Sequence, residues 1–149
     1  MEDWTPVKTD ADIAALMERY AHFHDSCLTQ VHYVTGDRTD EERDMCFGGP
    51  ETKELHMVFH SQWSDQALEL CFTGVRQCLL PGWQDDYFSE FWDCHLAFRT
   101  DLLLPRREER LIVWTDGAPL DPQETFEILR EPLPAFVIAS GLQWRFAEK

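Results

Sequence analysis

The chain has 149 residues, 44% apolar and 13% aromatic, enough large side chains for a real core and too many for a disordered segment. Asp and Glu number 28 against 13 Lys and Arg, a formal charge of −15. That balance opposes binding to a phosphate backbone or an anionic lipid surface, so neither nucleic acid nor membrane is an expected partner; it serves solubility alone or favours a basic protein partner.

The opening stretch MEDWTPVKTD has no basic start followed by an apolar run, which is not the pattern of a secretory signal. No apolar run approaches the ~20 residues that span a bilayer. The five cysteines, Cys27, Cys46, Cys71, Cys78 and Cys94, are odd in number and form no CxxC pair. They read as reduced thiols in a cytoplasm rather than a zinc ribbon, and no cofactor is expected.

Residues 9–21 carry the clearest helix signal. Ile13, Leu16, Met17 and Tyr20 follow the spacing of one apolar face, with Asp12 in the first turn and either Asp10 or Thr9 as the cap. The helix end falls between Tyr20 and His24. SCLTQVHYVTGD then reads as a strand closed by Gly36-Asp37. Residues 37–53 are charged, contain Gly48-Gly49-Pro50, and read as a loop. ELHMVFHSQW and LELCFTGV alternate and are joined by the turn SDQA, which predicts an antiparallel hairpin with a bulge or bend at Gly74. Leu55, Met57 and Phe59 share one face with Leu68, Leu70 and Phe72 as their counterparts; His56, Val58, His60, Glu69, Cys71 and Thr73 take the opposite faces.

LLPGWQDDYFSE is an irregular aromatic loop. FWDCHLAFRTDLL resumes alternation, with Trp92, Cys94, Leu96 and Phe98 on one side. LIVWTDG is a short apolar strand ending in a turn at Asp116-Gly117. Residues 118–134 suit a helical turn or a strand equally, and AFVIASGLQWRF is a last strand broken near Ser140-Gly141. The sum is a single α+β domain over 1–149: one N-terminal helix packed on a mostly antiparallel, strongly bent sheet of about six strands, with a partly open barrel as one form of it.

Four places could carry chemistry. His22, His24 and Asp25, in YAHFHDSC, could serve a small metal-dependent or Cys/His hydrolase. Residues two apart on a helix point about 200° apart, so they converge only if the chain turns there. The alternative is a fold junction in which Phe23 packs inward and Asp25 or Ser26 bonds free backbone groups. His56 and His60 sit roughly 13 Å apart on a strand and cannot share an ion, but His32 can pair with either across the sheet, with Glu69 as a carboxylate. Cys27, Cys71 and Cys94 fall in strands and read as small buried hydrophobes, while Cys94 and His95 point to opposite faces. Asp85-Asp86, between Trp83 and Tyr87, read most simply as solvated loop acids, with a loop for protein contact or a sugar-binding acid pair as the functional alternatives. No GxSxG, HExxH, GxxxxGK[ST] or GxGxxG occurs.

The FHDS start followed by LTQVHY, together with IVWTDG, LELCFTGV and the closing FVIASGLQWRF, resembles small uncharacterised bacterial proteins and toxin-immunity families, the Imm50-like group among them. The resemblance touches about half the chain and brings no catalytic residues. It implies a small cytoplasmic α+β protein of antitoxin-like type. The functional expectation is therefore a non-enzymatic acidic binder, with Asp40, Glu41, Glu42, Asp44, Asp85 and Asp86 as its charged surface and Trp83 and Tyr87 as aromatic anchors. Its rivals are the hydrolase above and a homo-oligomer joined through exposed aromatics.

Overall fold

A computed structural model describes residues 2–123 and 132–149. It holds one α-helix and a mostly antiparallel, nearly closed, barrel-like sheet. The strands are β1 (Thr5–Val7), β2 (Ser26–Val34), β3 (Arg38–Thr39), β4 (Met45–Cys46), β5 (Glu54–Ser61), β6 (Gln66–Leu79), β7 (Glu90–Phe91), β8 (Cys94–Arg99), β9 (Leu111–Asp116) and β10 (Phe136–Glu148). Eight of them form the sheet, in the order β7-β2-β5-β6-β10-β9-β8 with β1 beside β10; β3 and β4 make a separate small hairpin. The sheet thus exceeds the six strands expected. The extra members are β1, three residues around a proline, and β7, two residues cut off from β8, both too short to show alternation.

Helix α1 (Asp10–Arg19) starts at Thr9, not Asp10. The Thr9 hydroxyl accepts from the Asp12 amide at 3.2 Å, and the Asp12 carboxylate accepts from the Thr9 amide at 2.9 Å, a capping box. Ile13, Leu16 and Met17 are buried, and the helix packs beside β8 and β1.

β5 alternates as the sequence predicts: Leu55, Met57, Phe59 and Ser61 are buried, while Glu54, His56, Val58 and His60 are half-buried on the outer face. β6 runs further than predicted, to Leu79. It bends at Gly74, where φ is +63° and a Cβ would meet the Ser140 side chain at 2.7 Å. A bulge follows, since Ala139 faces Val75 but Ile138 faces Gln77. β10 continues unbroken through Ser140-Gly141. One of its edges pairs with β6 along its length; the other takes β9 at Phe136–Ala139 and β1 at Leu142–Trp144.

The curl is closed by a short covalent link. β7 and β8 lie at opposite ends of the strand order, yet only Trp92 and Asp93 separate them. Ser26 and Cys27 pair with Phe91 and Glu90. Trp92 lies outside, 72% exposed, so it does not share the buried face of Cys94 and Leu96 predicted for it; the corner between β7 and β8 breaks the alternation. The interior holds an aromatic cluster of Phe23, Phe59, Phe91 and Trp114. A second apolar cluster, Leu111, Val113, Phe136 and Ile138, lies under Leu102, Leu103 and Leu120. The middle of the ambiguous stretch 118–134 lies outside the described residues.

Closure stops at Cys27. Beyond it β2 pairs with β5 alone among the described residues, and Thr29 to Val34 are all exposed. Val31 and Tyr33 stand opposite the inward-facing Met57 and Leu55, yet are 42% and 48% exposed. No helix is long and apolar enough to cross a membrane among the described residues.

Candidate functional site

The structure keeps His24 and Asp25 in contact but does not gather His22 with them. Ala21, His22 and Phe23 have φ of 49°, 54° and 65°, a left-handed turn without glycine, costing about 1–2 kcal/mol per residue. The turn drives Phe23 fully into the core, against Tyr20 and Phe59. The Ser26 hydroxyl donates to the Phe23 carbonyl at 2.5 Å. His22 faces Asp93 at 4.0 Å. His24 Nδ1 donates to the Trp92 carbonyl at 2.8 Å, leaving Nε2 3.5 Å from Asp25. Each histidine therefore has its own neighbours, and the three residues do not gather three donor atoms around one point.

The expected binding residues fall into two groups, one at each end of β2. Asp40, Glu41, Glu42 and Asp44 form the tip of the β3–β4 hairpin. The Asp40 carboxylate accepts from the amides of Glu42 and Asp44, both at 2.9 Å, and this draws the acids together. Met45 and Phe47 beside them are 70% and 77% exposed. Trp83, Asp85, Asp86 and Tyr87 lie at the other end, in the loop between β6 and β7. The Trp83 indole donates to Asp85 at 3.1 Å, and Asp86 has a positive φ of 63°. Trp83 and Phe88 are 88% and 95% exposed. The same loop, with Leu28 and Asp116, lines a cavity of about 150 Å³ at the barrel mouth. Burial pushes the Asp116 carboxyl up to about 6; in the sequence it reads only as a turn residue.

A third constellation lies on the outer face of β5 and β6, and sequence reasoning reaches it in part. The register sets His32 directly opposite His56, with ring centroids 6.3 Å apart. It also sets His56 opposite Cys71. His56 Nε2 is 3.5 Å from Cys71 Sγ, and Cys71 Sγ is 3.6 Å from Glu54 Oε1. His56 Nδ1 bonds Glu69 Oε1 at 3.1 Å, and Arg145 Nε donates to Glu69 Oε2 at 2.8 Å. Trp4 folds over this row, stacked on the Arg145 guanidinium at 4.1 Å and edge-on to His56 at 5.9 Å. Burial tends to raise the Glu69 carboxyl, but its bonds to Arg145 and His56 outweigh that and hold it below the usual carboxylate range.

Cys71, His56 and Glu69 have the order of a nucleophile, a base and an orienting acid. The thiol does not suit the first role. Burial, reinforced by Glu54, pushes it up to about 11, so it stays protonated at neutral pH, and it has no exposed surface. Cys94 is buried as predicted, but Cys27 is exposed because its register partner is the outward-facing His60. All five cysteines are free thiols. Comparison of the chain with known protein families, curated proteins and solved structures gave no match.

Proposed function

We propose that this chain is an acidic, non-enzymatic protein-binding module whose docking strip runs along the open edge of β2. The observation that carries the reading is that edge. From Thr29 to Val34 it offers backbone groups that no described strand pairs, with Val31 and Tyr33 beside them. Proteins usually cover, bulge or charge such an edge, because it templates pairing with another chain. Among the described residues the one such device is the irregularity at Thr29, whose hydroxyl donates to the Val58 carbonyl at 3.1 Å.

Both groups of expected binding residues flank this strip. β2 spans about 26 Å at the usual strand rise, with the Trp83–Phe88 aromatics at its start and the acidic hairpin at its end. An extended partner segment would add as a further strand, its side chains meeting Tyr33 and Val31. The acids and the net charge of −15 select a basic partner. The resemblance to immunity proteins gives the sharpest version: a cytoplasmic bacterial antitoxin that masks a basic toxin. Five free thiols suit that compartment.

Val31→Lys with Tyr33→Lys tests the reading. Both positions are exposed, so the fold is retained, while lysines on an edge block strand addition. Immobilised wild-type chain should retain a basic protein from native lysate at low salt and release it at high salt, and the double variant should retain none. Equal retention by the two chains refutes the docking strip.

A further inference from the structure

We infer that Glu54, His56 and Cys71 form a zinc site on the outer face of the β5–β6 hairpin. The three side chains come together for a simple reason. Glu54 and His56 are two apart on β5 and so share a face, and Cys71 is the register partner of His56 on β6. Their donor atoms all lie within 4.8 Å of one another.

The two separations from the sulfur are those of a tetrahedron. With Zn–S of about 2.3 Å and Zn–N or Zn–O near 2.0–2.1 Å, its edges from sulfur are about 3.5 Å. The observed separations from Cys71 Sγ are 3.5 Å to His56 Nε2 and 3.6 Å to Glu54 Oε1. On binding, the ion displaces the Cys71 proton to solvent; the resulting thiolate, a carboxylate and a neutral imidazole together balance a dication, and the thiolate favours zinc over magnesium or calcium.

The surroundings are those a ligating histidine needs. His56 presents Nε2 to the site because Nδ1 is engaged by Glu69. A carboxylate behind a metal-bound imidazole fixes its tautomer and orientation. Glu69 is itself held by Arg145, and Arg145 by the face of Trp4. The row Trp4–Arg145–Glu69–His56 is thus a support reaching from two distant segments to one ring nitrogen. Glu54 and His56 are half-buried, which gives an ion access from solvent, whereas Cys71 lies beneath them. A water would complete the four-coordinate site; His32, on the neighbouring strand, is the next imidazole along the sheet.

The test is a titration of the full chain, stripped with chelator, with Co2+ and then Zn2+. One Co2+ per chain should bind with a thiolate-to-metal charge-transfer band and the intense visible bands of four-coordinate cobalt, and Zn2+ should bleach both. His56→Gln and Cys71→Ser should remove the charge-transfer band. Because Cys71 is buried, His56→Gln carries the test if the serine variant does not fold. Glu69→Gln should keep the spectrum but weaken binding about 10–100-fold, the effect of a partner that acts through the histidine. Absence of the band in the wild-type chain, or undiminished binding by His56→Gln, overturns the site.

Discussion

Replacing Phe59 with alanine should lower the free energy of unfolding by about 3–5 kcal/mol. Its ring is fully buried and meets Phe23 at 5.0 Å, Trp114 at 5.7 Å and Phe91 at 5.8 Å between centroids. Those three neighbours come from three separate segments, the turn after α1, β7 and β9, while Phe59 itself lies on β5. Truncation leaves a cavity that the curled sheet cannot fill, and it removes ring pairs worth about 0.5–1.5 kcal/mol each beyond their buried area. Phe59→Leu should recover most of the loss, since it restores volume without the ring contacts. Urea unfolding gives the comparison, with an unchanged slope showing that the variant and the wild-type chain expose the same surface on unfolding. A loss below about 1 kcal/mol would contradict an interior packed around this ring. The site depends on the same cluster, because Phe91 ties β7 to β2 and so places the aromatic loop beside the open edge.

Converting Asp40, Glu41, Glu42 and Asp44 to their amides should slow association with a basic partner about tenfold or more at low salt. The dissociation rate should change little, because the tip acts through its field on the approaching partner rather than by close packing. Asp40→Asn keeps a side-chain oxygen for the Glu42 and Asp44 amides, so the hairpin retains its shape. The difference between the chains should vanish near 1 M salt, where the screening length is about 3 Å. Stopped-flow association at several ionic strengths measures this. Equal rates at low salt would mean that the four acids serve solubility alone.

Much of the scaffold is legible in the sequence where local pattern decides it. The apolar spacing of α1 and the alternation of β5 and β6 lie within single segments, and the structure follows them. What eludes reading is set by contacts between segments. β1 exists because β10 has a free edge at Leu142–Trp144, and closure exists because Ser26 and Cys27 meet Phe91 and Glu90. Trp92 misleads because the corner between β7 and β8 interrupts its alternation. The same division holds for the sites. Alternation alone puts His56 on one outer face and Cys71 with Glu69 on the next. Their register depends on a four-residue turn without an Asn-Gly or Asp-Gly signal. Trp4 and Arg145 arrive from the two ends of the chain, beyond any local pattern. His22, His24 and Asp25 show the opposite case, in which closeness in sequence suggests convergence, but the left-handed turn directs His22 toward Asp93 and leaves only His24 and Asp25 together.

The most direct test of the binding account is amide hydrogen exchange along Thr29–Val34, in the free chain and with the basic protein it captures. The account predicts rapid exchange on the open side of β2 in the free chain and at least about tenfold slower exchange in the complex, as a partner strand takes up those groups. Unchanged exchange along that edge in a saturated complex would contradict it.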